Sequence, residues 1–150
     1  MTLLPRGMEV RPTLKEDPLY RIDPAFFEEQ GLCLDQVLRM RRCAFCRDRL
    51  RDRPLGSVSF EEHLEGFLDC CARQRDFIRP GTPLLEAVFR ILLAAQNRPA
   101  SLSTLYVALH DWWGGHESPR YVDPERLKVL LDRDHYYGIR RVEGVPARPG

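Results

Sequence analysis

The chain has 150 residues, 43% of them hydrophobic and 30% charged, which fits one ordinary domain or two very small ones and excludes a disordered protein. Its formal net charge of +1 excludes a general binder of polyanions, and no apolar run approaches the ~20 residues that span a bilayer. The first ten residues show no apolar stretch followed by a signal-peptide cleavage site, so we expect a cytoplasmic protein with no membrane partner.

The N-terminal part of the chain begins without periodicity and then becomes helical. Residues 1–22 contain three prolines and no regular apolar pattern, which predicts an extended arm. Asp23 and Pro24 have the N-cap and first-turn roles of a short helix, and Gly31 ends it. Apolar residues at helical spacing then predict a second helix that runs into Cys43.

A third helix is expected after an arginine-rich turn. Ser57 or Ser59 can cap it, and Ser59 with Glu62 has the form of a capping box. Its apolar stripe continues through Cys71, and two prolines and a glycine in residues 79–83 then break the helix. We therefore predict a cysteine-rich helical module over residues 23–79.

Three further helices and a strand are predicted in residues 80–150. Thr82 can cap the first helix, Ser101 or Ser103 the second, and Asp123 the third. Residues 136–145 are rich in β-branched and aromatic side chains, which is typical of a strand.

Residues 98–113 and 122–142, with this order of helices and a closing strand, resemble a winged helix-turn-helix domain over residues ~82–145. The loop between the second and third helices is longer than the usual turn. The resemblance implies a third helix that can enter the major groove of DNA and a short β-wing. The expected fold is therefore mainly α, with a small metal-stabilised helical module followed by a winged helix-turn-helix.

The resemblance also implies which side chains would contact DNA. Residues 120–142 hold six Lys and Arg against four Asp and Glu, a modest positive excess. The expected contacts on and after the third helix are Arg126, Lys128 and Arg133, and those on the wing are Arg140 and Arg141. Two arginines near the cysteines, Arg47 and Arg49, are expected to add contacts. Winged helices also dock on proteins, so the partner is either double-stranded DNA or another protein.

A metal site is predicted from Cys43 and Cys46, because a CxxC pair can place two thiolates on one ion at ~2.3 Å, the usual zinc–sulfur distance. Two further ligands are needed, and His63, Cys70 and Cys71 are the candidates. Zinc is the expected metal, with Cys43, Cys46 and either Cys71 or Cys70 as the core ligands and His63 as the expected fourth ligand.

The second half of this site is irregular. His63 and Cys70 are two helical turns apart, about 10.5 Å of rise, so both can bind one ion only if the helix breaks near Gly66. Cys70 and Cys71 are neighbours and would point about 100° apart on a regular helix. They can share one centre only if the helix is frayed there, or if the centre is larger than one ion.

Three alternatives to zinc remain open. An iron–sulfur cluster is a larger target that four cysteines can hold. The thiols can also be small buried hydrophobes, which is our interpretation of Cys33. A thioredoxin-like redox pair is disfavoured because no strand is predicted before Cys43.

The polar residues show no catalytic pattern. The sequence contains no metalloprotease HExxH motif, no phosphate-binding loop motif and no Ser-His-Asp order. We therefore predict a non-enzymatic DNA-binding regulatory protein with a structural zinc site and no small-molecule substrate. A protein-interaction adaptor or accessory subunit is the alternative, and an iron–sulfur protein is the third hypothesis.

Overall fold

The structure is a computed structural model that describes residues 14–115 and 119–142. About half of the described residues are helical, and a small antiparallel sheet completes the fold, so the prediction of a mainly α protein is confirmed. In chain order the elements are β1 (Leu19–Ile22), α1 (Ala25–Glu29), α2 (Leu34–Arg39), α3 (Ala44–Leu50), α4 (Phe60–Asp69), a 3₁₀ turn (Cys71–Arg73), α5 (Leu84–Ala94), β2 (Ala100–Ser101), α6 (Leu102–Trp112), α7 (Pro124–Asp132) and β3 (Ile139–Arg141).

The first helix lies where the sequence predicts it, although Pro24 rather than Asp23 takes the N-cap position. The Asp23 carboxylate accepts a hydrogen bond from the Ala25 N–H, and Gly31 adopts a φ of 72° just after the helix. That left-handed conformation is easy for glycine and costly for other residues, which is why the helix ends there.

The predicted second helix does not run into the cysteines. Helix α2 ends at Arg39, and a separate helix, α3, begins after Cys43 and carries Cys46 in its first turn. The arginine-rich segment that we predicted as a turn is therefore mostly helical. Arginine is a good helix former, and the turn signals at Pro54 and Gly56 come only after helix α3 has ended.

Helix α4 starts where expected and ends earlier than expected. The Ser59 hydroxyl accepts a hydrogen bond from the Glu62 N–H, which confirms this N-cap. The helix passes through Gly66 without a break and ends at Asp69, where Cys70 has φ −139° and ψ −67°. The chain then continues as the 3₁₀ turn, so the predicted interruption exists but lies four residues later.

The caps of the C-terminal helices also follow the sequence. The Ser101 hydroxyl accepts from the Thr104 N–H, and the Asp123 carboxylate accepts from the N–H groups of Glu125 and Arg126. Only the first of these helices deviates, since Pro83 rather than Thr82 takes the N-cap position.

The sheet draws its central strand from the N-terminal segment. Its order is β2-β1-β3, and β1 pairs antiparallel with both neighbours, with Tyr20 opposite Ala100 and Arg141. Residues 19–22 were predicted to belong to an extended arm, and the structure makes them this central strand. Four residues are too few to show a clear alternation, although Tyr20 and Ile22 are both fully buried.

Strand β1 is also tied to the end of helix α5. The Asn97 side chain accepts from the Ile22 N–H at 2.7 Å and donates to the Ile22 carbonyl at 2.8 Å. Residues 84–141 thus contain the three helices and the closing strand that the sequence predicts, in that order, with the short strand β2 as an unpredicted addition between the first two helices. The strand beside β3 in the described sheet comes from before the first helix, and residues 143–145 lie outside the described part of the chain.

The buried side chains of the cysteine-rich segment and of the C-terminal helices belong to one hydrophobic cluster. The ring centroids of Phe67 in helix α4 and Phe77 are 5.9 Å apart, and those of Phe77 and Trp112 in helix α6 are 6.0 Å apart. The cysteine-rich segment is therefore anchored on the same core as the C-terminal helices. In the described ranges, no helix is long and apolar enough to cross a membrane.

Candidate metal centre

Four cysteines meet where the start of helix α3 approaches the end of helix α4. The Sγ atoms of Cys43, Cys46 and Cys70 all lie within 4.8 Å of one another, and those of Cys43 and Cys70 are 3.7 Å apart. The Sγ of Cys71 lies beside them and accepts a hydrogen bond from the Cys43 N–H at 3.2 Å. All four thiols are free of disulfides, and together they can hold a metal ion.

Two local features of the backbone bring these sulfurs together. Cys43 is the N-cap residue of helix α3, so its side chain stands at the open end of the helix whose first turn carries Cys46. On the other side, the end of helix α4 at Cys70 removes the 100° rotation that would separate Cys70 from Cys71 on a continuous helix. The fraying that the sequence required is thus present.

Cys33 lies apart from this cluster. It is the half-buried N-cap residue of helix α2, and it belongs to no group of potential ligands in the described part of the chain. The sequence suggested that Cys33 is a small buried hydrophobe, and the structure shows its side chain only half-buried.

The side chain of His63, the predicted fourth ligand, forms hydrogen bonds with residues other than the cysteines. The ring is fully buried, and Nε2 donates to the Asp35 carboxylate at 2.8 Å. Because Nε2 carries the proton, Nδ1 is the acceptor, and it lies 3.1 Å from Nη1 of Arg42. Burial and the nearby guanidinium of Arg42 lower the pKa of His63, although Asp35 opposes them, so the ring is neutral at pH 7. Both nitrogens are occupied, and the histidine does not reach the thiols.

Asp35 is the anchor of this buried polar network. It is 5% exposed and accepts two hydrogen bonds from the Arg39 guanidinium, one from His63, and one each from the N–H groups of Gly56 and Val58. Burial opposes its charge, but these hydrogen bonds together hold its pKa well below the usual range of a carboxyl. The charged carboxylate therefore fastens the loop before helix α4 to helix α2.

Arg42 connects the polar network to the cysteines. It is 7% exposed, its Nε donates to the Sγ of Cys71 at 3.2 Å, and its guanidinium lies 5.3 Å from the ring centre of Phe67. No carboxylate in the described part of the chain forms an ion pair with it. A buried cation needs a counter-charge, and the group that accepts a hydrogen bond from Nε of Arg42 is the sulfur of Cys71. This arrangement favours thiolates in the cluster.

The thiols oppose one another's ionisation. Burial acts to raise the pKa of Cys43, but the Cys46 N–H and the neighbouring thiols favour its thiolate and lower that pKa to about 7. Hydrogen bonding with Cys43 and Cys46 raises the pKa of Cys70 to about 12, and burial raises that of Cys71 to about 11. One thiolate therefore forms readily, and a bound cation would be needed to hold the others as thiolates.

The arginines and the lysine predicted to contact DNA lie on two separate surfaces. Arg47 and Arg49 are exposed on helix α3, beside the cysteines. Arg126 and Arg133 are exposed on helix α7 and just after it, and Lys128 is half-buried on the same helix.

The two arginines of strand β3 are exposed but already paired. Arg140 forms an ion pair with Asp23 at 3.4 Å. Arg141 forms ion pairs with Asp132 at 2.9 Å and with Glu16 at 3.3 Å. Any contact of these two side chains with phosphate would have to compete with these carboxylates.

Sequence reasoning missed Asp35, Arg42 and Gly66 as parts of the site. A β-carbon placed on Gly66 would lie 2.0 Å from Nη2 of Arg42, so the glycine lets the guanidinium cross helix α4. A glycine inside an otherwise regular helix was the available signal, and we had considered it only as the place where a helix break would let His63 and Cys70 bind one ion.

Comparison of the chain with protein-family models, curated proteins and solved structures finds no match.

Proposed function

We propose that Cys43, Cys46, Cys70 and Cys71 bind one zinc ion, and that this ion is structural. The observation that carries the proposal is the convergence of the four thiols beside a buried guanidinium. A zinc ion with four thiolates has a net charge of −2, and Arg42 would offset part of it. A closed set of four ligands leaves no open position for catalysis, which is typical of structural zinc.

The spacing of the sulfurs supports a single ion over a cluster. A tetrahedral zinc site with bonds of ~2.3 Å has sulfurs about 3.8 Å apart, and the Cys43 and Cys70 sulfurs are 3.7 Å apart. An iron–sulfur cluster distributes its cysteines over several irons, which places the sulfurs around a larger body than one ion. The iron–sulfur hypothesis is therefore the less favoured of the two.

Elemental analysis of the purified protein tests this assignment. We expect about one zinc per chain and no colour, and Cys70→Ser should lose most of the zinc because it removes a ligand. Cys33→Ser is the matched control and should keep the full metal content. A brown protein that absorbs near ~400 nm and contains iron would replace zinc with a cluster. Metal-free protein with an unchanged fold would remove the metal proposal altogether.

We further propose that the protein is a non-enzymatic, DNA-binding regulator that uses helix α7. Arg126 and Arg133 support this role, since both are exposed and available to phosphates on one side of the molecule. In winged helix-turn-helix domains, which residues ~82–145 resemble, the third helix can enter the major groove of DNA, and helix α7 is that helix here. Arg47 and Arg49 would add contacts beside the metal centre.

Fluorescence anisotropy with mixed-sequence duplex DNA tests the DNA proposal. Affinity should fall steeply with salt, and Arg126→Gln and Arg133→Gln should each lower the slope of log affinity against log salt by about 1. Arg98→Gln removes an exposed arginine elsewhere and should leave the slope unchanged.

A second candidate is a protein-interaction adaptor. Met40 and Phe45, next to the cysteine cluster, are 64% and 62% exposed, and Leu55 is 58% exposed. Large exposed apolar side chains on one segment are common at protein contacts. No detectable DNA binding even at low salt would favour the adaptor over the DNA-binding regulator.

A further inference from the structure

A cavity of about 450 Å³ opens beside the cysteine cluster. Helix α3, the 3₁₀ turn and helix α5 enclose it, and its walls include Phe45, Phe77 and the buried Cys71. This volume suits a small organic molecule, and the two aromatic side chains offer apolar contact on its walls. Neither the metal site nor the DNA surface on helix α7 accounts for this cavity.

The cavity has an excess of positive charge. Arg41 and Arg90 lie on its wall and share one carboxylate, that of Glu86, at 2.8 and 2.7 Å. Two cations on one anion leave a net charge of +1, and Arg47 on the same wall adds another. The acidic wall residue Asp76 pairs with Arg79, and Arg42 faces the sulfur of Cys71 in the metal centre.

The guanidinium groups are held in place with donors left over. In Arg90, Nε donates to Glu86 and Nη1 donates to the Phe77 carbonyl at 3.0 Å. In Arg47, Nη1 donates to the Arg42 carbonyl at 3.1 Å. Among the described residues, Nη2 of both arginines has no hydrogen-bond acceptor. Guanidinium groups fixed in this way are pre-organised to bind an oxyanion.

We propose that this cavity binds a small phosphate monoester, with Arg47 and Arg90 on the phosphate and Phe45 and Phe77 against the organic part. A phosphate monoester carries a charge of about −1.5 to −2 at pH 7, and Arg47 and the Arg41–Glu86–Arg90 group, which has a net positive charge, would attract it. The Arg90 side chain is only 22% exposed, so a small ligand can reach it and the convex backbone of duplex DNA cannot. The proposal does not depend on DNA binding by helix α7, although Arg47 is a proposed contact in both, and it adds a ligand that the sequence did not predict.

Isothermal titration calorimetry of the purified full chain with phenyl phosphate tests the proposal, with phenol as the uncharged comparison. We expect saturable binding of phenyl phosphate and none of phenol, because the charge supplies the recognition. Arg47→Gln and Arg90→Gln should each weaken binding about tenfold or more, as expected for a lost hydrogen bond between charged groups. Arg51→Gln, on the same stretch of chain but outside the cavity, is the matched control.

Circular dichroism of each variant shows whether the fold is kept, and Arg47→Gln is the safer variant because Arg47 is exposed. No saturable binding of phenyl phosphate at roughly millimolar concentration would overturn the proposal. A loss of phenyl phosphate affinity in Arg51→Gln as large as that in Arg47→Gln or Arg90→Gln would also overturn it. Displacement of phenyl phosphate by duplex DNA would assign the site to DNA backbone instead. The DNA proposal is tested separately, through Arg126 and Arg133.

Discussion

Replacing Gly66 by alanine should destabilise the protein, although alanine is the better helix former. The added methyl would lie 2.0 Å from Nη2, 2.4 Å from Cζ and 2.8 Å from Nη1 of Arg42. The guanidinium has little freedom to move away, because it is buried, bonded to Cys71 and His63, and stacked on Phe67. The methyl therefore displaces either helix α4 or the buried charge.

The size of the effect follows from three contributions. Alanine in place of glycine within a helix stabilises by about 1 kcal/mol. Overpacking of a filled interior costs about 1–3 kcal/mol, and each lost hydrogen bond to a charged group costs about 1.5–3 kcal/mol. If the guanidinium loses one of its two hydrogen-bond partners, the net loss in the free energy of unfolding is about 1.5–5 kcal/mol.

Denaturant unfolding followed by circular dichroism measures this loss, with both proteins loaded with the same metal. Gly81→Ala is the control, because a β-carbon there would meet nothing within 4 Å, and it should shift stability by no more than about 0.5 kcal/mol. Gly66→Ala should also bind the metal more weakly, since Arg42 is bonded to Cys71. A Gly66→Ala protein as stable as the wild type would refute the crossing of Arg42 over helix α4.

Two further predictions concern a buried charge and a helix cap. Asp35→Asn should lower the free energy of unfolding at pH 7 by about 3 kcal/mol, because the carboxylate pairs with Arg39 and is almost fully buried. Since the folded pKa lies below the unfolded value of about 3.9, this stabilisation is complete above that pH and is lost as the pH falls further. Chemical unfolding at decreasing acidic pH should therefore show a shrinking difference in the free energy of unfolding between the wild type and Asp35→Asn. A difference that does not change with pH would contradict the assignment. Asp123→Ala should cost about 1 kcal/mol, measured by thermal unfolding, because it leaves the first N–H groups of helix α7 without their cap. An unchanged melting temperature would mean that water satisfies these N–H groups as well as the Asp123 carboxylate does.

The helices of the C-terminal half were predictable because their signals are local. Ser101 and Asp123 cap the helices that the sequence assigned to them, and each cap involves residues two or three positions away. Helix ends depend on such short-range bonds, so a sequence displays them directly. The winged-helix interpretation rests on the order of these elements and stays a prediction.

The cysteine cluster was predictable as a set, but its geometry was not. The CxxC spacing and the neighbouring Cys70 and Cys71 point to one centre, and the thiols do converge. Of the two helix interruptions that the sequence allowed, only the one at Cys70 and Cys71 is present, because Gly66 instead makes room for Arg42, which comes from a distant part of the chain. The role of His63 could not be read for the same reason, since its partner Asp35 is 28 residues away.

What the sequence by itself determined were most of the helices, several of their caps, the mainly α class and the candidate thiols, because each depends on neighbours within a few residues. Only the tertiary structure decided that Leu19–Ile22 is the central strand of the sheet, that His63 turns to Asp35, and that Arg42 lies against Cys71. These contacts join residues far apart in the chain. They form because buried polar and charged groups must find partners wherever folding places them.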